Sequence, residues 1–251
     1  MVILLQKFIL ILVRITAFIV LCPAFSFKGL SNIFKVAFSI CVTFVVYMYT
    51  PDMEIIGESL VFTLLVIKET LLGLTLGYVT KLLFSIMEIA GQLIDFQIGY
   101  SMASVYDPSI GNTASNYGKL YYWMSICIFF ILDLHHQVIL TIIESFDFIP
   151  LTLGTLSGIN IESIVYIFGI TFSTAFNIAA PMIIVILITD IVMGIIARTV
   201  PQINVLMLGM PMKSIVGFFV MMIMLSSLVQ TTGNTLLLIP EYLEKILTFF
   251  K

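Results

Sequence analysis

Charge is what this chain has least of. Of its 251 residues 10% are charged and 61% hydrophobic, where soluble domains carry about 25% and about 45–50%. A water-soluble globule is excluded. Eleven basic and fourteen acidic residues leave a net charge of −3, so the chain has no strong basic surface for nucleic acid or for an anionic membrane face. The three cysteines, Cys22, Cys41 and Cys127, sit in apolar segments without metal-ligand spacing. They read as small packing residues and say nothing about redox compartment. Catalytic signatures are missing as well: there is no HExxH, no nucleotide-binding loop and no nucleophile elbow. Asp133, His135 and His136 lie close in sequence. Neighbouring positions on a helix point about 100° apart, however, so the two imidazoles are not expected to share one ion. No enzyme activity, metal or cofactor is expected.

What the chain does have is long apolar runs. Residues 163–189, between Glu162 and Asp190, and 214–240, between Lys213 and Glu241, are each 27 residues without a charge. Either run is long enough to span a bilayer, which takes about 20 residues. Helices are predicted at about 3–22, 33–50, 59–80, 82–105, 120–145, 163–190 and 213–239. A transmembrane β-barrel would instead show alternating stretches of about ten residues, and none occurs. The expectation is an all-α, polytopic membrane protein folded as one membrane-embedded domain over 1–251. The apolar stretch ending near Cys22 and Pro23 could be mistaken for a signal peptide. Arg14 interrupts it and no small-residue cleavage site precedes Cys22, so the first helix is expected to stay.

Lys28 and Lys35 flank the first loop, and Asp52, Glu54 and Glu58 the second. The positive-inside rule therefore favours an outside N-terminus and a cytoplasmic first loop. In the second half, the loop charges agree with that rule only if 82–105 does not cross as a span of its own.

That segment carries the clearest pattern. Lys81, Ser85, Glu88, Gln92, Asp95 and Gly99 follow at steps of 4, 3, 4, 3 and 4, which keeps all six within about 40° of one helical meridian. Ionisable groups cost about 2.5–3.5 kcal/mol each at a bilayer centre, so the stripe should face protein, water or its own members. A helix–helix seam, within the chain or with another subunit, and the wall of an aqueous path both fit. Lys68 and Glu69 lie mid-segment, followed by Gly73 and Gly77 at the spacing that lets another backbone approach. Lys7 and Arg14 share a face of the first helix, where a buried arginine demands a carboxylate, a carbonyl or water. Pro181, one turn after Asn177, is expected to kink its helix.

Two loops stand out. Residues 106–116, with Tyr106, Asp107, Pro108, Ile110, Gly111 and Asn112, are dense in turn formers. Arg198, Pro201, Gln202 and Asn204, followed by Gly209, Pro211 and Lys213, break twice at proline yet stay apolar between. That suits a hairpin packed against protein at membrane depth.

The order of these motifs is distinctive. It begins with Arg14 and Pro23, then Lys68-Glu69 with Gly73 and Gly77. The run Ala90-Gly91-Gln92-Leu93-Ile94-Asp95-Phe96-Gln97-Ile98-Gly99-Tyr100-Ser101 follows, and Asp107-Pro108 with Gly111 comes after it. Last come Ala197-Arg198-Thr199-Val200-Pro201-Gln202-Ile203-Asn204 and Gly209-Met210-Pro211-Met212-Lys213. The whole resembles the FliR family of flagellar type III export-gate proteins, whose virulence-associated counterparts are the SctT proteins. The resemblance covers nearly the whole chain. It implies a non-enzymatic subunit of the bacterial inner membrane and flagellar basal body. Such a subunit assembles with FliP and FliQ, works with FlhB and FlhA, and passes unfolded flagellar substrates. It also implies that 106–116 plugs the closed pore, and that hydropathy spans are partly lifted out of the bilayer and packed on partners. The 14 methionines suit irregular apolar packing. The competing class, an ion- or proton-coupled transporter using Glu88 and Asp95, would often show internal repeats, and none is evident.

Overall fold

A computed structural model describes residues 2–27, 29–51, 58–100, 115–151, 161–200 and 205–249. Every regular element among them is helical. In chain order these are α1 (Val2–Leu21), α2 (Pro23–Ser26), α3 (Asn32–Tyr49), α4 (Ser59–Ile98), α5 (Asn116–Ile131), α6 (Leu134–Phe148), α7 (Ile161–Thr199), α8 (Val205–Leu236) and α9 (Leu238–Phe249). Among the described residues five helices are long and apolar enough to cross a membrane, or six if the bent pair α5 and α6 counts as one span. The chain is an all-α polytopic membrane protein.

Helix boundaries depart from the sequence reading at several places: α7 runs on to Thr199 rather than 190 and a break at Leu237 separates α8 from α9, and four further departures have a local cause. The helices expected at 59–80 and 82–105 are one 40-residue helix, because no proline or helix-ending glycine lies between Ser59 and Ile98 and Lys81 is an ordinary helix former. That helix stops at Ile98 rather than 105: Gly99 adopts φ 105, and the amides of Gly99 and Tyr100 both donate to the Asp95 carbonyl at 3.1 and 3.0 Å. This is the left-handed glycine stop that a Cβ would disfavour. The helix expected over 120–145 is broken between Ile131 and Leu134 and bent by 76°, because Asp133 takes a left-handed conformation at φ 54. Of the hairpin expected over 198–213, the second proline break is not made: Gly209, Pro211 and Lys213 lie in the first turns of α8, where Pro211 removes a single intrahelical hydrogen bond, while 201–204 lie outside the described residues. Pro181 lies inside continuous α7.

By contacts the chain divides into two compact units: Met1–Leu83, Phe129–Ile167 and Leu236–Lys251 in the first, Phe84–Ile128 and Phe168–Thr235 in the second. In the first, α1 packs on α3, and α9 packs on α6. Its core holds Leu10, Ile11, Ile15, Phe18, Leu134, Val138 and Leu243, all fully buried. The apolar face of α9 runs Ile239, Tyr242, Leu243, Ile246 and Leu247, the spacing of one helical stripe. In the second unit the buried set includes Phe84, Met87, Ile94, Tyr121, Ala179 and Ile186.

Candidate functional site

Among the described residues each unit holds a buried polar centre. In the first it is built on Arg14, placed mid-way along apolar α1 and 1% exposed. Its Nε donates to Glu69 Oε2 of α4 at 2.5 Å. One terminal nitrogen donates to the Ser145 carbonyl at 2.9 Å and to Ser145 Oγ at 3.2 Å. The other donates to the Ile149 carbonyl at 2.9 Å. The Phe146 ring lies 4.0 Å from the guanidinium carbon, close enough for a cation–π contact. A planar fork with five donors suits this many-sided site, where a lysine would satisfy one direction.

The carbonyls of Ser145 and Ile149 belong to the last turn of α6, which carries no basic residue of its own there. The end of a helix is partially negative and leaves carbonyls unsatisfied. Arg14 therefore caps α6 from a distant part of the chain. Lys68 Nζ donates to the Pro150 carbonyl at 3.2 Å just beyond and stands 4.0 Å from Glu69 Oε1. Lys7, one heptad before Arg14, does for α3 what Arg14 does for α6: its Nζ donates to the carbonyl of Thr50, the C-cap residue, at 2.7 Å, and lies 4.4 Å from the centre of the Tyr47 ring. The face of α1 that the sequence shows as charged thus closes two helix ends.

Close packing delivers α1 to α4. A Cβ at Gly73 would strike the Arg14 carbonyl, and one at Gly77 would come to 2.8 Å from Leu21 Cβ and 3.0 Å from the Phe18 carbonyl. Neither glycine can grow without moving backbone. Beyond α1, the Cys22 thiol is fully buried, and burial pushes it from the ordinary 9.0 up to about 12.

In the second unit the centre is Asp95, 3% exposed near the C-terminal end of α4. Its carboxylate accepts from Ser115 Oγ at 2.7 Å and from the backbone amides of Tyr117 and Gly118 at 3.2 Å each. Those amides are in the first turn of α5, whose orphan donors and positive dipole end favour a carboxylate. Asp95 is an N-cap supplied by another helix. Backbone proximity makes this possible: a Cβ at Gly91 would strike the Gly118 amide nitrogen, and one at Gly118 would lie 3.2 Å from the Glu88 carbonyl. Beside it Lys213 of α8 pairs with Asp190 of α7 at 2.6 Å and reaches the Gln97 carbonyl at 3.5 Å, while Gln97 Nε2 donates to Asp190 at 3.4 Å. Three helices meet in that network.

Residues 5–238 match the family of bacterial export proteins, family 1. Flagellar biosynthetic protein FliR of Bacillus subtilis (strain 168) is 30% identical over 247 residues, covering 96% of this chain and 94% of that relative. The chain belongs to the FliR family. FliR of Pectobacterium carotovorum subsp. carotovorum is 26% identical, covering 93% of this chain and 85% of its own length. For FliR of Escherichia coli (strain K12) the figures are 22%, 84% and 80%.

In this FliR-family chain the residues singled out by sequence do not share one environment. Arg14, Lys68 and Glu69 come together, with Gly73 and Gly77 as their packing support. Of the stripe, Asp95 is buried, Ser85 and Glu88 are half-buried, and Lys81 and Gln92 are exposed; Gln92 Nε2 donates to Glu88 Oε1 at 3.3 Å. Gly99 ends α4. Arg198 lies exposed in the last turn of α7, and Lys213 is bound to Asp190. Tyr106, Asp107, Pro108, Ile110, Gly111 and Asn112, and likewise Pro201, Gln202 and Asn204, fall outside the described residues. Sequence reasoning missed Ser145, Ile149, Pro150 and Thr50, which act through backbone carbonyls that no side-chain pattern marks. Asp190 bounds an apolar run in the sequence, and an acid at the end of such a run is itself a signal for a partner cation, here Lys213.

Proposed function

We propose that this chain is the FliR subunit of a flagellar export gate. It would assemble with FliP and FliQ in the bacterial inner membrane, at the flagellar basal body, into the channel for unfolded flagellar subunits, alongside FlhB and FlhA. Family membership makes it a component of flagellar type III protein export. The observation that carries the finer reading is the mismatch between the helices and a bilayer. At about 1.5 Å per residue, α4 with its 40 residues and α7 with its 39 extend to about 60 Å, twice a hydrocarbon core of about 30 Å. On α7 apolar side chains stay exposed along most of that length: Phe168, Phe172, Phe176, Ile184, Ile188, Ile191 and Ile195 are all more than half exposed. Apolar surface longer than lipid can cover needs protein to cover it.

The ionisable groups support an architectural role. Arg14 and Asp95 are engaged in holding helix ends and Glu69 in the ion pair with Arg14, which leaves Asp95 little acceptor capacity for a transported ion or proton. Pull-down from membranes through a C-terminal tag tests the reading. FliP- and FliQ-like proteins in one stable complex with the chain are the expected result, with loss of flagellar subunit secretion on deletion. A lone monomer with substrate-dependent ion flux would overturn it.

A further inference from the structure

The bend between α5 and α6 brings together the chain's two histidines and an aspartate. The ligand atoms of Asp133, His135 and His136 all lie within 4.8 Å of one another. We propose that these three side chains bind one divalent transition-metal ion of the zinc class.

The left-handed turn at Asp133 starts a new helix at Leu134, so His135 and His136 occupy its opening turn, where their rings converge. The ring centres are 4.0 Å apart and tilted by 37°, closer than the roughly 100° between neighbouring helical positions suggests. Asp133 stands at the N-cap of α6 but makes no side-chain capping bond. Its carboxylate is turned instead toward His136, with Oδ1 3.9 Å from Nδ1. His135 packs against Phe130 at 5.4 Å between ring centres, and its Nδ1 is buried with no hydrogen-bond partner. An imidazole nitrogen without a partner, a second imidazole in van der Waals reach and a carboxylate that makes no capping bond supply three of the four ligands of a tetrahedral zinc ion, leaving the fourth position to water. Ligands around one zinc at bonds of about 2.0–2.1 Å stand about 3.3 Å apart, a separation that side-chain rotation reaches from here. The side chains of Asp133 and His136 are 76% and 69% exposed. A bare carboxylate does not face hydrocarbon, so the bend opens to water or to protein.

The test is Zn²⁺ titration by calorimetry of the full chain, purified from membranes with its partners through a histidine-free tag and stripped with chelator. Cys41 and Cys127 are replaced by serine to remove competing ligands. One equivalent of Zn²⁺ should bind in excess of the His135→Ala/His136→Ala double variant, with each single variant raising Kd at least about tenfold. Asp133→Asn keeps a residue that tolerates the left-handed turn and removes the charge, so it should weaken binding while circular dichroism stays unchanged. Cu²⁺ loading should give an electron paramagnetic resonance signal split by two imidazole nitrogens. Equal Zn²⁺ uptake by the double variant, or a Cu²⁺ signal unaltered in it, would overturn the proposal.

Discussion

Arg14 and Glu69, 55 positions apart, form an ion pair at 2.5 Å with side chains 1% and 0% exposed. The pair joins α1 to α4, and through Ser145 and Ile149 the same arginine secures the end of α6. Breaking one side of a buried pair typically costs about 3–5 kcal/mol, because the remaining charge is left without compensation. Arg14→Ala and Glu69→Ala are each expected to lose that much, measured as thermal unfolding in detergent and as steady-state level in membranes. Arg14→Lys should not restore the wild-type value, since one ammonium cannot meet Glu69 and two carbonyls at once. Arg14→Met with Glu69→Leu should lose less than the two single losses added together. Strict additivity would refute the coupling.

Asp95 caps α5 from outside, so its removal should act at the start of that helix. Asp95→Ala is expected to cost about 1–2 kcal/mol, the upper part of the range for lost N-caps, and Asp95→Asn distinctly less, because its amide oxygen still accepts. Hydrogen exchange at the Tyr117 and Gly118 amides should speed up in the alanine variant. Unchanged protection there would show that the carboxylate is not the cap.

Glycine-to-alanine substitutions should divide by environment. At Gly73 and Gly91 the added methyl meets backbone, and both variants should lose stability and membrane yield. Nothing lies within 4 Å of a Cβ at Gly169 or Gly194. There alanine should be neutral, or stabilising by up to about 1 kcal/mol through helix propensity. Melting temperatures of the four variants decide this; destabilisation of equal size at all four would sink it.

Cys22 is buried with its thiol raised to about 12. Maleimide should leave it unmodified in the native chain at pH 8 and label it after denaturation, read by mass spectrometry. With the unfolded thiol near 9.0 and the folded one near 12, this group does not affect stability below pH 9. It withdraws stability as pH climbs from 9 toward 12, because only the unfolded chain can then ionise it. A Cys22→Ala variant should lack that alkaline loss.

The Lys213–Asp190 pair is partly open, with side chains 19% and 36% exposed, and should count for less than Arg14–Glu69. Lys213→Ala is expected to cost about 1 kcal/mol or less after solvent screening. A charge-swapped Lys213→Asp/Asp190→Lys chain should recover most of the loss seen in Lys213→Asp alone, judged by yield of the assembled complex.

The sequence by itself determined that the chain is helical and membrane-embedded, because apolar runs of 27 residues have no other way to satisfy their backbone in lipid. It also marked Arg14, Lys68, Glu69, Gly73, Gly77 and Asp95 as positions needing partners, since an isolated charge or a paired glycine in such a run is costly without one. Which partners they take was decided only by tertiary structure. Arg14 and Asp95 end on carbonyls and amides of α6 and α5, backbone groups present at every residue and therefore invisible to any side-chain pattern. The same holds for where helices stop: the φ values of Gly99 and Asp133 follow from surroundings, so a helix read as ending at 105 ends at Ile98, and one read as straight through 133 bends there. Charge scarcity, the first thing the sequence presents, becomes intelligible on that basis. Among the few charges, Lys7, Arg14, Lys68 and Asp95 bind backbone groups at or just beyond the ends of helices, where the helices' own hydrogen bonds run out.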